Sequence, residues 1–149
     1  DEEIPVVAHI GLTPQSVYKM GGYRVQGHTA EQAKRLIEDA KLLEDAGAFA
    51  IVLELVPREV AQMITDELSI STIGIGAGLG CDIQVLVLHD LVGMTFGRQP
   101  RFVRQYANVR DVMTDAIQNW ARDVRSGAYP ADAESYGLTE ETLSELKKS

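Results

Sequence analysis

Four short runs rich in valine and isoleucine recur along the chain: residues 4–10 (IPVVAHI), 49–57 (FAIVLELVP), 71–75 (STIGI) and 83–88 (IQVLVL). Each breaks at a glycine, a proline or a polar residue, and runs of this length and composition predict buried strands. Helical stripes lie among them. Thr29 and Gln32 form a capping box ahead of Ala33, Leu36, Ile37, Ala40 and Leu43, and Gly47 sits where a helix C′ glycine belongs. Pro57 suits the first turn of a second helix carrying Val60, Ala61, Ile64 and Leu68. A third stripe, Val112, Ala116, Trp120 and Val124, spans about residues 111–124 and stops at Gly127 and Pro130; Thr139, Glu140 and Glu141 cap a short last helix with Leu143 and Leu146. Strands alternating with helices are the signature of βα units and a parallel sheet.

In parallel α/β folds the ligand binds at the C-terminal ends of the strands. The residues there are His9, Glu54, the glycines of 74–80, and His89 with Asp90. Glu54 stands out because it interrupts an apolar run, where an unpaired carboxylate is costly unless it is partnered or used. It is either a structural, paired strand-end residue or a chemical one. His9 admits a parallel choice between a satisfied core histidine and a ligand contact. His28 falls in a polar loop and reads as exposed. His89 and Asp90 read as a metal pair or a hydrogen-bonded strand end, but two ligands without HxxxH or Asp-x-Asp spacing do not make a metal site. Residues 11–27 form a long loop punctuated by glycines, a length usually reserved for functional or mobile segments.

Several chemistries fail on spacing. The GIGAG stretch at 74–78 lacks the first-third-sixth glycine pattern of a dinucleotide fingerprint, and the segment after it is strand-like; the glycines there more simply allow close backbone approach. No G-x-S-x-G elbow supports a Ser-His-Asp triad. Arg98, Arg101 and Arg104 read as a solvated face with Phe102 turned inward. The single cysteine, Cys81, cannot form an internal disulfide or a CxxC zinc pair and reads as a small residue in a turn.

At 149 residues the chain predicts one domain, 1–149, with a helical tail from about 111. A net charge of −8 argues against nucleic acid and anionic membrane as partners and favours small molecules. No apolar run reaches about 18 residues, the start is acidic, and a cytoplasmic location is the expectation.

The ordered set HIGLTPQ, GGYRVQG, VLELVP, TIGIGAG and CDIQVLVLHDLVG, spread over about residues 4–136, resembles the 3-methyl-2-oxobutanoate (ketopantoate) hydroxymethyltransferase family. The resemblance implies a (β/α)8 TIM barrel of the phosphoenolpyruvate/pyruvate superfamily and transfer of a one-carbon unit from 5,10-methylenetetrahydrofolate to 2-oxoisovalerate, with Mg2+, to give ketopantoate. It implies that Glu54, at the glutamate of the VLE-VP motif, is the general base at C3 of the keto acid. His9, at the histidine of HIGLTPQ, then contacts that acid. A homo-oligomer is implied as well.

A barrel of this type needs about 250 residues, so four βα units are half of one. The resemblance places the family's magnesium-binding aspartates, its lysine and a further glutamate in the N-terminal half, and no metal ligand is assigned in this chain. The expected arrangement is the C-terminal half of a barrel, held beside a complementary half or a second copy. Two departures stand within the matched region: Ile83 replaces the glycine of the family's DGQVLV motif, and Ala133-Glu134-Ser135-Tyr136 only loosely follows Glu-His-Ser-Phe. Two other readings use the same residues: a lyase or aldolase on a 2-oxo acid without folate, and a catalytically silent half-barrel.

Overall fold

The computed structural model describes residues 4–13 and 25–148; the first four residues of the GGYRVQG motif, 21–24, and most of the predicted 11–27 loop lie outside them. A four-stranded parallel sheet in the order β1-β2-β3-β4 organises the chain. The strands are β1 (Val7–Gly11), β2 (Ala50–Glu54), β3 (Ser71–Ile75) and β4 (Ile83–Gln84). Helices α1 (Ala30–Asp45) and α2 (Arg58–Glu67) connect the first three; α3 (Leu88–Leu91), α4 (Val109–Ser126) and α5 (Glu140–Leu146) come after the sheet. A 3-10 turn, Asp132–Glu134, precedes α5.

The capping box forms as predicted. Gln32 N–H donates to Thr29 Oγ1 at 3.2 Å, and Thr29 N–H donates back to Gln32 Oε1 at 3.4 Å. Gly47 carries φ +96°, the left-handed value a C′ residue needs. On the helix-covered face of the sheet, Ala8, Ile10, Ile51 and Leu53 are buried with Ala40, Val60, Ala61 and Ile64 from α1 and α2. This is the one core of the described chain, and the predicted helical stripes supply it.

A single carboxylate ties α1 to the start of β3. Glu44 Oε1 accepts from Ser69 Oγ (2.5 Å), Ser69 N–H (2.8 Å) and Ile70 N–H (3.1 Å). The Ser69 hydroxyl and amide hold the Glu44 carboxyl below the usual carboxylate range. Because the folded value is depressed, the stabilisation is complete above the unfolded value of about 4.3 and is lost as pH falls through the folded value. The thermal midpoint of Glu44→Gln should therefore fall less steeply than that of the unsubstituted chain in an acid titration monitored by circular dichroism. Parallel acid limbs would overturn the assignment.

Two expectations need correction. The fourth strand does not run over residues 83–88: pairing stops after Gln84, with Val85 N–H reaching Gly74 O (3.0 Å), because β3 turns away at Gly76 (φ +64°) and leaves nothing further to pair with. His89 and Asp90 consequently belong to α3, not to a strand end. The alternation of strands and helices also fails once, since β3 and β4 are joined without a helix. Side chains fasten that connection instead. Asp82 Oδ2 accepts from Thr72 N–H (2.8 Å) and Thr72 Oγ1 (3.1 Å), Asp82 N–H donates to Thr72 Oγ1 (3.1 Å), and Thr65 Oγ1 meets the same hydroxyl at 2.8 Å. Thr72 is thereby fully buried yet satisfied.

Among the described residues the second face of the sheet has no such cover. Along it lie Val7, His9, Val52, Glu54, Ile73 and Ile83, and Val7 and Ile83 are 45% and 48% exposed. The tail leaves apolar surface open as well. No residue of α4 is buried, and its stripe of Val112, Met113, Ile117, Trp120 and Val124 faces solvent, with Trp120 56% exposed. No helix among the described residues is long and apolar enough to cross a membrane.

Candidate active site

β1 and β2 run parallel, with His9 beside Val52 and Gly11 beside Glu54. Because side chains alternate with a period of two, His9 and Glu54 project from the same face, the one that α1 and α2 leave open. His9 Nε2 lies 3.2 Å from Glu54 Oε2. The carboxylate is the more enclosed partner, its side chain 12% exposed against 33% for the histidine. Glu54 is thus neither unpaired nor fully sealed: one oxygen lies against an imidazole at the C-terminal end of β2.

The backbone around Glu54 is built for close approach. Gly11 carries φ +89°, and a Cβ there would lie 2.2 Å from Glu54 O and 2.8 Å from Val56 Cγ2. The closeness serves a hydrogen bond, Leu12 N–H to Glu54 O at 2.8 Å. On the other side, Leu55 N–H donates to Ile75 O at 2.9 Å. One peptide unit, between Glu54 and Leu55, is therefore tied to both neighbouring strands. Three adjacent strands leave the sheet through left-handed residues: Gly11, Leu55 (φ +51°) and Gly76. Leu55 is the one non-glycine residue with positive φ among the described residues, a conformation that costs roughly 1–2 kcal/mol for a residue bearing a Cβ.

The other candidates separate cleanly. His28 is exposed, its amide donating to Gln32 Oε1 at 3.1 Å. His89 is exposed on α3, while Asp90 on the same helix accepts from Thr95 Oγ1 at 2.5 Å. Arg98, Arg101 and Arg104 are all exposed and Phe102 turns in against Gly76, as the sequence predicts. The glycine-rich turn does serve close packing: a Cβ on Gly78 would meet Arg58 Cβ at 2.4 Å. Cys81 is buried in that turn, and desolvation pushes its thiol above the ordinary range, away from reactivity. Among the described residues no three His, Cys, Asp or Glu side chains converge as metal ligands. The described residues therefore do not by themselves fit a magnesium ion.

Leu55 and Gly11 are the site features that residue reading missed. Gly11 carried a signal, a glycine at a strand end. Leucine carries none, since nothing in its chemistry favours a left-handed backbone.

Residues 1–132 match the family model described as ketopantoate hydroxymethyltransferase. The chain belongs to that family. Among curated ketopantoate hydroxymethyltransferases, also named 3-methyl-2-oxobutanoate hydroxymethyltransferases, one from Clostridium botulinum (strain Alaska E43 / Type E3) is 56% identical over 146 residues, 98% of this chain and 53% of the relative. Another, from Clostridioides difficile (strain 630), is 54% identical over 144 residues, 97% of this chain and 52% of the relative. A third, from Koribacter versatilis (strain Ellin345), is 52% identical over 147 residues, 99% of this chain and 50% of the relative. The chain spans about half the length of these curated hydroxymethyltransferases.

Proposed function

We propose that this chain supplies the C-terminal half of a (β/α)8 barrel that transfers a one-carbon unit from 5,10-methylenetetrahydrofolate to 2-oxoisovalerate, giving ketopantoate for pantothenate synthesis in the cytoplasm. The observation that carries the reading is the His9–Glu54 pair, 3.2 Å apart on adjacent parallel strands at a ligand-facing edge. A proton α to a ketone is too weakly acidic to leave unaided, and a positioned carboxylate is the group that removes it. Glu54 is that base, taking the C3 proton of the keto acid. His9 steadies one carboxylate oxygen and presents its ring to the bound acid, so that the free oxygen remains aimed at substrate. The resulting C3 nucleophile forms a C–C bond to the folate-borne carbon; that carbon's two bonds to folate nitrogen break, water supplies the hydroxyl of the new hydroxymethyl group, and tetrahydrofolate leaves with the C3 proton and the remaining proton of the water on its two nitrogens.

Mg2+ is assigned to the complementary half, because the described residues here bring no ligand set together, and no step is derived through it. The half-barrel assignment is supported by the open sheet face and by the matched share of the relatives' length. The partner is a complementary N-terminal half, or a second copy, within a homo-oligomer.

The test uses deuterium exchange at C3 of 2-oxoisovalerate, monitored by proton NMR in heavy water with Mg2+ and methylenetetrahydrofolate. This chain mixed with the N-terminal half of the Clostridioides difficile relative should catalyse exchange and form ketopantoate. Absence of exchange in the mixture would overturn the reading, and turnover of the 2-oxo acid to another product with folate omitted would replace it by a lyase or aldolase. In sedimentation, the chain should run heavier than a monomer or shift on mixing; a monomer indifferent to the other half would contradict the half-barrel.

A further inference from the structure

The strained residue beside the candidate base has a role that the pair alone does not reveal. Leu55 comes directly after Glu54 and holds φ +51° where leucine gains nothing locally from doing so. Such a conformation persists only where the surroundings over-determine it, and here they do so from several directions. The Glu54–Leu55 peptide is bonded to β1 through Leu12 N–H and to β3 through Ile75 O, at 2.8 and 2.9 Å. Leu55 O accepts from Gln26 N–H at 2.9 Å. The side chain is seated too: a Cβ on Gly76 would lie 3.2 Å from Leu55 Cδ2 and 3.0 Å from the Phe102 ring, so the missing side chain of Gly76 is the space into which both apolar groups converge.

A glycine at position 55 would satisfy the same dihedral without strain. It would not fill that seat, and it would leave the chain free to turn elsewhere after Glu54. We propose that Leu55 is a positioning residue: its side chain, seated on Gly76 beside Phe102, locks the left-handed turn that fixes the Glu54 carboxylate against His9. The inference deepens the proposed function and rests on Glu54 being the base. The seat, not the dihedral alone, is what holds the carboxylate.

The test has a spectroscopic arm without substrate and a kinetic arm. In the full 149-residue chain, the His9 imidazole nitrogens are observed by 15N NMR, and the change in Nε2 shift caused by Glu54→Gln measures their coupling. That change should shrink at least threefold in a Leu55→Gly background. In the mixed-half exchange assay, Leu55→Gly should lower kcat for C3 exchange about tenfold while KM moves less than twofold. Leu55→Met, which can reach the seat, should restore both quantities to within twofold. Leu55→Asn tolerates the left-handed backbone but cannot fill an apolar seat, so it should behave as the glycine variant does, and it serves if Leu55→Gly fails to fold. Undiminished coupling and kcat in either variant would overturn the proposal. A lack of exchange in the unsubstituted protein would count against the proposed activity, whereas the spectroscopic arm decides the positioning role by itself.

Discussion

Glu54→Gln, which removes the proposed base, should abolish C3 deuterium exchange by the proposed barrel while leaving the fold intact. Removing a general base costs about two to four orders of magnitude in rate, and glutamine keeps the side chain's length while losing the ability to take a proton. The substitution is nearly isosteric, so the 3.2 Å contact with His9 Nε2 seen in the parent pair can persist. Circular dichroism and thermal midpoint should therefore stay close to the parent values. KM for the keto acid should change far less than kcat, since the carboxylate acts on the proton in flight more than on ground-state binding. Exchange at the parental rate in a folded Glu54→Gln protein would remove Glu54 from the mechanism.

The second large effect is on stability. Gly11→Ala places a methyl 2.2 Å from Glu54 O at a backbone φ of +89°, so both the clash and the torsion must be relieved by movement of β1 away from β2. The movement sacrifices the Leu12 N–H to Glu54 O bond. Torsional strain of roughly 1–2 kcal/mol and a lost hydrogen bond of about 1 kcal/mol put the total at about 2–3 kcal/mol. That corresponds to a drop of about 4–12 °C in midpoint for a domain of this size. Gly97 offers an internal control: it shares φ +89° but has nothing within 4 Å of its would-be Cβ. Gly97→Ala should cost the torsional part alone. Equal losses in the two variants would show that the contact with Glu54 O carries no weight.

Local chemistry dictates the features that could be read from residues. The Thr29–Gln32 box, Gly47 as C′ residue, Ser71–Ile75 as a strand and the core stripe of α2 arise from side chains acting on their own backbone or on one face. The placing of His9 and Glu54 at strand ends came from the residues, whereas their 3.2 Å contact did not, since it depends on the register of β1 against β2. The features that stayed hidden depend on neighbours in space. Residues 85–88 have the composition of a strand, but no partner backbone continues beside them once Gly76 turns β3 aside. The missing β3–β4 helix is replaced by Thr72 and Asp82, an arrangement no periodicity announces. Leu55 is the extreme case, since its dihedral is imposed by Leu12, Ile75, Gln26 and Gly76, none adjacent to it in sequence.

On the proposed half-barrel reading, the open face of the sheet makes stability a matter of mass action. Surface such as Val7 and Ile83 contributes in full only when something lies against it, and a partner that binds the folded chain adds RT ln(1 + [partner]/Kd) to its unfolding free energy. A hundredfold excess over Kd is worth about 2.7 kcal/mol, comparable to the whole penalty at Gly11. With the proposed partner or second copy bound there, a melting temperature for this chain would be a statement about a concentration, and two laboratories working at different dilutions would be right to disagree about it.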